Sequence, residues 1–330
     1  MARRLIALVA AVGMVVVAVT VRHHRDNTHA TTKTTASGPL QLVCATELAA
    51  VCDGITAADA EVTVEPAAVT ADRLRAADAD DPGIDGWLAA GPWGAVVDTA
   101  RPSSAGRLFS DAGAPLARSP FVLAVWKDKR APLACADAGD LGCVGDAVIT
   151  RGFRLGVAAD DQAEGVLADA ALGVGHAKNR NFATNDLDET DLSDWLAAVD
   201  TNTDRVSRNP GGRSFTELLT FGAAAADGYL STEADIGPQF VRAAKRSQLD
   251  LVYVNPPATA DVLLSVRPGK RGDRVKELVR SDHIRQLLQA NGWRVDGLPL
   301  IAGVNATPRL PADDGLPSAG VLQALRAITK

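Results

Sequence analysis

The stretch 116–129, LARSPFVLAVWKDK, limits this chain more than any other. It runs from an Arg-Ser-Pro step into a β-branched and aromatic strand at 121–126 and ends in a charged turn. Strand propensity is strong there, and Pro120 stands where a strand can begin without losing a ladder hydrogen bond. A counterpart lies at 249–266, LDLVYVNPPATADVLLSV, again an apolar strand broken by prolines. Together they predict two crossings, near Ser119 and Trp126 and between Leu251 and Pro257, joining the halves of a two-lobed chain.

Strand–helix alternation on either side agrees with this. Strands are expected at 40–44, 61–65 and 84–89 before the first crossing, with helices after Thr46 and from Thr70. A new series opens at 153–157, where Asp161 and Glu164 have capping-box spacing ahead of a helix carrying Val166, Leu167, Ala170 and Ala171. Helices are also expected at 192–199, 215–226, 236–247 and 320–328, with a strand at 229–232. One amphipathic helix is expected over 273–291. The polar, acidic run 176–191 reads as a solvated loop, since it lacks the glycine and terminal glutamate of a calcium-binding EF-hand. Such alternation argues an α/β fold with a mostly parallel sheet covered by helices. With 330 residues there is room for two cores.

The N-terminus adds a segment of another kind. Arg3 and Arg4 precede an uncharged apolar run, 5–21, which ends at Arg22, His23, His24 and Arg25. The run is longer than a usual signal-peptide core, lacks a small-x-small exit, and reaches the short end of a bilayer span. It reads as a membrane helix or a cleaved signal, spanning 1–25, followed by a threonine-rich tether at 26–38. The domain boundaries expected from there are 39–120 for the first part of lobe 1, 121–250 for the crossing and lobe 2, and 251–330 for the return crossing, the rest of lobe 1 and the tail. The globular part is then outward-facing, at the cell membrane or secreted.

Four cysteines fit an exported protein: Cys44, Cys52, Cys135 and Cys143. Cys135 and Cys143 flank a Gly/Asp-rich loop that can bring them together. A fully helical 45–51 would hold Cys44 and Cys52 beyond disulfide reach. Either that helix starts late or the pair stays reduced.

Composition and motifs exclude several functions. A net charge of −6 argues against a nucleic-acid partner. There is no G-x-G-x-x-G, no P-loop, no H-E-x-x-H, no C-x-x-C and no G-x-S-x-G. Nothing in the spacing joins Cys44 to His176 or His283 as nucleophile and base. No cofactor and no enzymatic activity are expected. The basic cluster around Arg267, Lys270, Arg271 and Arg274 is interleaved with acids and reads as a solvated helix face.

What remains are the turns at the C-terminal ends of strands, where open α/β sheets bind ligands. The candidate ligand-binding residues are Thr46, Glu47, Ala90, Trp93, Ser119, Asp160, Asp161, Gln162, Ser231, Thr232 and Glu233. Helix N-termini attract anions, but here several carry carboxylates. The expected ligand is therefore small and neutral or cationic, in preference to an oxyanion.

Three stretches together resemble the extracellular solute-binding proteins of ABC importers, of the type II periplasmic-binding-protein family. The first is IDGWLAAGPW with ARSPFVLAVW, and the second FRLGVAADDQAEGVLADAALG. The third is LVYVNPPATADVLLSV followed by SDHIRQLLQANGWRV. The resemblance implies a ligand gripped between lobes that close by bending at the two crossings, an aromatic wall from Trp93 or Trp126, and a membrane permease as partner. The alternative is a membrane-tethered sensor or scaffold that kept the fold without transport.

Overall fold

The computed structural model describes residues 38–328 apart from 56–59, 79–81, 111, 190, 207–214, 306–309 and 311–312. The apolar run 5–21 lies outside them. Among the described residues, no helix is long and apolar enough to cross a membrane.

The elements follow the chain as β1 (Leu40–Ala45), α1 (Ala49–Cys52), β2 (Ala60–Glu65), α2 (Ala67–Arg75), β3 (Gly86–Ala90) and α3 (Trp93–Ala100). Next come β4 (Ala117–Trp126), α4 (Arg130–Leu133), α5 (Leu141–Arg151), β5 (Leu155–Ala158), α6 (Ala163–Ala177), α7 (Thr184–Glu189), α8 (Leu192–Thr201) and β6 (Thr203–Val206). After α9 (Phe215–Phe221), β7 (Gly228–Thr232) and α10 (Glu233–Arg242), β8 (Leu249–Tyr253) and β9 (Thr259–Val266) return the chain. The last helices are α11 (Lys270–Val279), α12 (Asp282–Ala290) and α13 (Ala319–Ile328).

One strand belongs to two sheets. The first sheet has the order β2-β1-β3-β9-β4 and the second β8-β4-β7-β5-β6. The first half of β4 pairs antiparallel with β9, from Ala117 opposite Val262 to Pro120 opposite Thr259. From Phe121 onward its partners are β7 and β8. The hand-over falls at Pro120, which has no N–H to place in either ladder. The return passes from β8 in the second sheet to β9 in the first, so both expected crossings are present.

Side-chain alternation explains why β4 reads as an unbroken apolar run. Phe121, Leu123 and Val125 face one core. Val122, Ala124 and Trp126 face another, with Phe215, Leu218, Tyr229 and Ile236. A strand covered on both faces cannot show a polar alternation. Edge strand β2, by contrast, alternates exposed with half-buried positions.

The long helix α6 is buried almost all round, from Ala163 to Gly175, and small residues make that possible. A Cβ on Gly142 of α5 would stand 2.7 Å from the Gly175 carbonyl oxygen, and one on Gly145 2.2 Å from the Trp195 ring. Helices α5, α6 and α8 therefore pack at close range, and the Trp195 indole N–H donates to Asp146 at 2.9 Å.

Several expectations change. The chain stays extended to Ala45, makes a 3₁₀ turn at Thr46–Leu48 and becomes α-helical only at Ala49. That late start brings the Cα atoms of Cys44 and Cys52 to 6.5 Å, and they are bridged; Cys135 and Cys143 are bridged at 5.9 Å. Helix α2 begins at Ala67, after Pro66, so Thr70 is interior and its hydroxyl donates to Glu65. The acidic run is not all loop: α6 reaches Ala177 and α7 is helical. The expected single helix over 273–291 is two, because Ser281 turns extended (ψ 153°). Each half then buries its own stripe, Val275 and Val279 in one, Ile284 and Leu288 in the other. Arg271 leaves the supposed solvated face to hold Asp85, Nε to Oδ1 at 2.7 Å and Nη2 to Oδ2 at 2.6 Å. Burial raises the Asp85 carboxyl, but Arg271 and the Gln41 N–H outweigh it and hold its pKa below the ordinary value.

Gly145→Ala should force the Trp195 ring aside and cost about 1–3 kcal/mol in urea unfolding. Gly320→Ala, where nothing lies closer than 3.9 Å to the new Cβ, should be neutral or stabilising by up to about 1 kcal/mol.

Candidate functional site

The turns at the ends of β1, β3, β5 and β7 are drawn together by specific bonds. Glu47 Oε1 accepts the Ala90 N–H at 2.8 Å, tying the first turn to the end of β3. The next residue, Gly91, adopts φ +91°, and a Cβ there would stand 3.0 Å from Leu167 of α6. The Ala68 N–H of α2 donates to the Asp161 carbonyl at 2.9 Å. The last two contacts run from elements of the first sheet to elements of the second. Thr232 Oγ1 donates to Glu164 Oε1 at 2.8 Å and accepts the Asp235 N–H at 3.2 Å, so the β7 turn meets the first turn of α6. Ser119 Oγ, one residue before the hand-over in β4, accepts the Ala234 N–H at 2.8 Å.

Buried polar atoms in these turns and strand ends with no hydrogen-bond partner among the described residues include Thr46 Oγ1, Asp161 Oδ1 and Ser231 Oγ. Thr46 is 2% exposed and Ser231 1%. A buried polar group left unmatched costs about 1–3 kcal/mol, and such groups in native folds ask for an explanation. Asp161 is also electrostatically unsettled. Burial first, and then the charge of neighbouring Asp160, push its carboxyl above the ordinary aspartate pKa.

The remaining sequence-predicted residues fall into other settings. Asp161 is not the cap of α6: Gln162 occupies the N-cap position and makes no side-chain capping bond. Gln162 is 3% exposed. Trp93 is a core residue of the first lobe, 6.0 Å from the Trp87 ring, with the Arg326 guanidinium 5.4 Å over it. Trp126 packs in the second core with Phe215 and Tyr229, at the far end of β4 from the crossing. His176 stacks on Trp195 at 4.2 Å. Among the described residues, no group of His, Cys, Asp and Glu side chains could hold a metal ion.

Glu233 has a distinct place. It is fully buried at the start of α10, and both its oxygens are engaged by protein donors. Oε1 accepts the Tyr253 hydroxyl and the Asn305 N–H, and Oε2 accepts Arg294 Nε at 2.8 Å. Arg294 exchanges two 2.9 Å backbone bonds with Arg118, on the first-sheet half of β4. Glu233 stands in the second sheet's lobe, so this buried ion pair joins the two lobes beside the crossing. Burial and the Glu233 charge raise the Tyr253 phenol well above its ordinary pKa.

Sequence reasoning read Glu164 as a capping residue and missed Arg294 and Tyr253. Glu164 carried a signal, as the one carboxylate in the first turn of a helix that is otherwise mostly small and apolar. The other two carried none, since Arg294 lies 61 residues from Glu233 along the chain.

No protein-family model and no curated protein matches the chain. Solved structures do. A periplasmic thiamin binding protein is similar over 90% of this chain and 98% of its own, with a TM-score of 0.57 and 13% identity. The periplasmic binding protein AfuA from Actinobacillus pleuropneumoniae, with fructose-6-phosphate bound, matches 89% of this chain and 97% of its own (TM-score 0.58, 10% identity). Iron-bound HitA from Pseudomonas aeruginosa matches 88% and 99% (TM-score 0.55, 13% identity).

Arg294→Met should lower stability by about 3–5 kcal/mol in urea unfolding, because it strands a buried carboxylate, and adding Glu233→Met should recover much of that loss. The Tyr253 contribution should be fully present below pH 10.0, the ordinary phenol value, and be lost as the pH rises beyond it. Tyr253→Phe should show a smaller alkaline loss than the unmodified chain. Near-complete coverage of these neighbours, with both crossings in place, gives the chain the two-lobed α/β fold of the periplasmic solute-binding proteins.

Proposed function

We propose that this chain is an extracytoplasmic solute-binding protein that captures a small neutral or cationic ligand between its lobes, for an ABC-type importer, without catalysing a reaction. One observation carries the reading. Thr46 Oγ1 from the first lobe, and Asp161 Oδ1 and Ser231 Oγ from the second, are buried and unmatched at turns that meet across the interlobe boundary. A ligand offering hydroxyl or ammonium donors would complete them. The apolar segment at 5–21 would hold the protein at the outer membrane face, or be removed on export.

The ligand's charge follows from the surroundings. Neighbours of this fold carry names and ligands as different as thiamin, fructose-6-phosphate and iron, so the fold alone does not choose. Here Glu47, Asp160, Asp161 and Glu164 gather at the converging turns. The nearby cation Arg294 is already engaged with Glu233. Among the described residues, an incoming oxyanion would meet carboxylates and no uncommitted guanidinium at these turns, whereas an amine or a polyol finds acceptors.

A second reading, a membrane-tethered sensor or scaffold, draws on the Glu233–Arg294 pair. A lobe interface held by such a bond has a standing interaction of its own, which a static scaffold could use.

A thermal-shift panel of polyols, amines, amino acids and oxyanions on the full-length chain tests the proposal. Stabilisation by an amine or polyol is expected; saturable binding of sulfate or phosphate between the lobes would contradict it. Asp161→Asn should weaken an amine hit by about ten-fold or more, the value of one charge-assisted hydrogen bond. Because the Asp161 carboxyl titrates above its ordinary value of 3.8, amine affinity should be full near neutral pH. It should fall as the pH drops through that raised range, and Asp161→Asn should flatten the fall.

A further inference from the structure

At the outer end of β4, a cavity of about 570 Å³ opens on lobe 2, lined by Trp126, Lys127, Asp128, Phe221, Gly222 and Lys245 among others. Trp126 lies six strand residues beyond Pro120, so at ~3.3 Å per residue this cavity is roughly 20 Å from the interlobe turns. We propose that it is a separate binding site for a small organic carboxylate, a monoanion with an apolar or aromatic body.

Four observations carry this. The Trp126 indole N–H is buried, the residue being 4% exposed, and has no hydrogen-bond partner among the described residues. A buried N–H of this kind lacks an acceptor, and indole can only donate. The indole edge bearing that nitrogen lies beside the cavity: Trp126 Cζ2, next to the carbon that bonds Nε1, is 3.9 Å from where a Cβ on Gly222 would stand. Lys245 Nζ is 3.8 Å from the same point. The ammonium and the indole edge therefore flank one small space, which Gly222, at φ +67°, keeps open.

Neither Lys245 nor Lys127 is in an ion pair with any described residue, while the adjacent cations are committed. Lys129 pairs with Asp227 at 3.3 Å and Arg130 with Asp250 at 3.0 Å. Two ammonium groups against the single Asp128 carboxylate leave one net positive charge, which matches a monoanion better than a phosphate dianion. Finally, Phe221 is 65% exposed at the rim, an unusual position for a large apolar ring. It supplies a face for the ligand's apolar body, with the Trp126 ring beneath.

This site shares no residue with the interlobe turns and stands or falls independently of the function proposed above. The test is a ¹H–¹⁵N titration of the full-length chain with benzoate, following the indole N–H resonances, with Trp126→Phe assigning the relevant one. Benzoate should shift the Trp126 signal saturably at millimolar concentration, while benzylamine and inorganic phosphate should not. Lys245→Gln, a surface change that leaves the fold intact, should weaken benzoate about ten-fold, and Lys127→Gln should weaken it less. No saturable shift, an equal shift with benzylamine, or a benzoate affinity unchanged by Lys245→Gln would each overturn the proposal.

Discussion

Pro120 has no N–H to donate, and the architecture turns on where that missing donor sits. Before it, β4 belongs to one sheet; after it, to another. Because a single strand runs through both, ending the first sheet and lying inside the second, the two lobes share a covalent axis, and the return from β8 to β9 closes the connection a second time. Two short extended crossings of this kind let lobes rotate against each other while each keeps its own hydrogen-bonded sheet. The apolar run after Pro120 is buried on both faces, which ties that part of the strand firmly into the second lobe.

Around that axis the buried charges divide into two groups. Glu233, Arg294 and Tyr253 form a satisfied network whose value lies in holding the lobes in register. A buried pair of this type adds little net stability over an apolar substitute, but removing one member is costly, which makes it a positional constraint between the lobes. The segments bearing Thr46, Asp161 and Ser231 are the reverse case: unmatched atoms and a carboxyl whose pKa is raised by burial and a like charge. The first group fixes position, and the second carries unmet chemistry.

The sequence made the crossings readable for a local reason. Strands covered on both faces leave long β-branched runs, and prolines mark where the ladders change hands. The two disulfides were half readable: the loop between Cys135 and Cys143 was plain, whereas Cys44–Cys52 depended on a helix start that only the structure settles, three residues later than Thr46. Capping-box spacing at Asp161 and Glu164 misled, because Gln162 occupies the cap and packing draws the glutamate inward to Thr232. The tryptophans misled too. Trp93 and Trp126 stand near strand ends, as wall residues would, yet each fills a lobe core. Nothing local foretold Arg294 opposite Glu233, a contact made only when the chain's end returns to the first half of β4.

The central claim is that these lobes close on a ligand about β4 and its return strand. It is tested most directly by a spin-label distance measurement between Val69→Cys on α2 and Asn202→Cys after α8, both exposed positions on opposite lobes. The native cysteines are bridged and leave no free thiol among the described residues. The unliganded chain should give a distribution that narrows toward shorter distances when an amine or polyol hit is added. Arg294→Met should move it toward longer ones. A single distance unmoved by both would contradict hinged closure and leave a rigid scaffold with this fold.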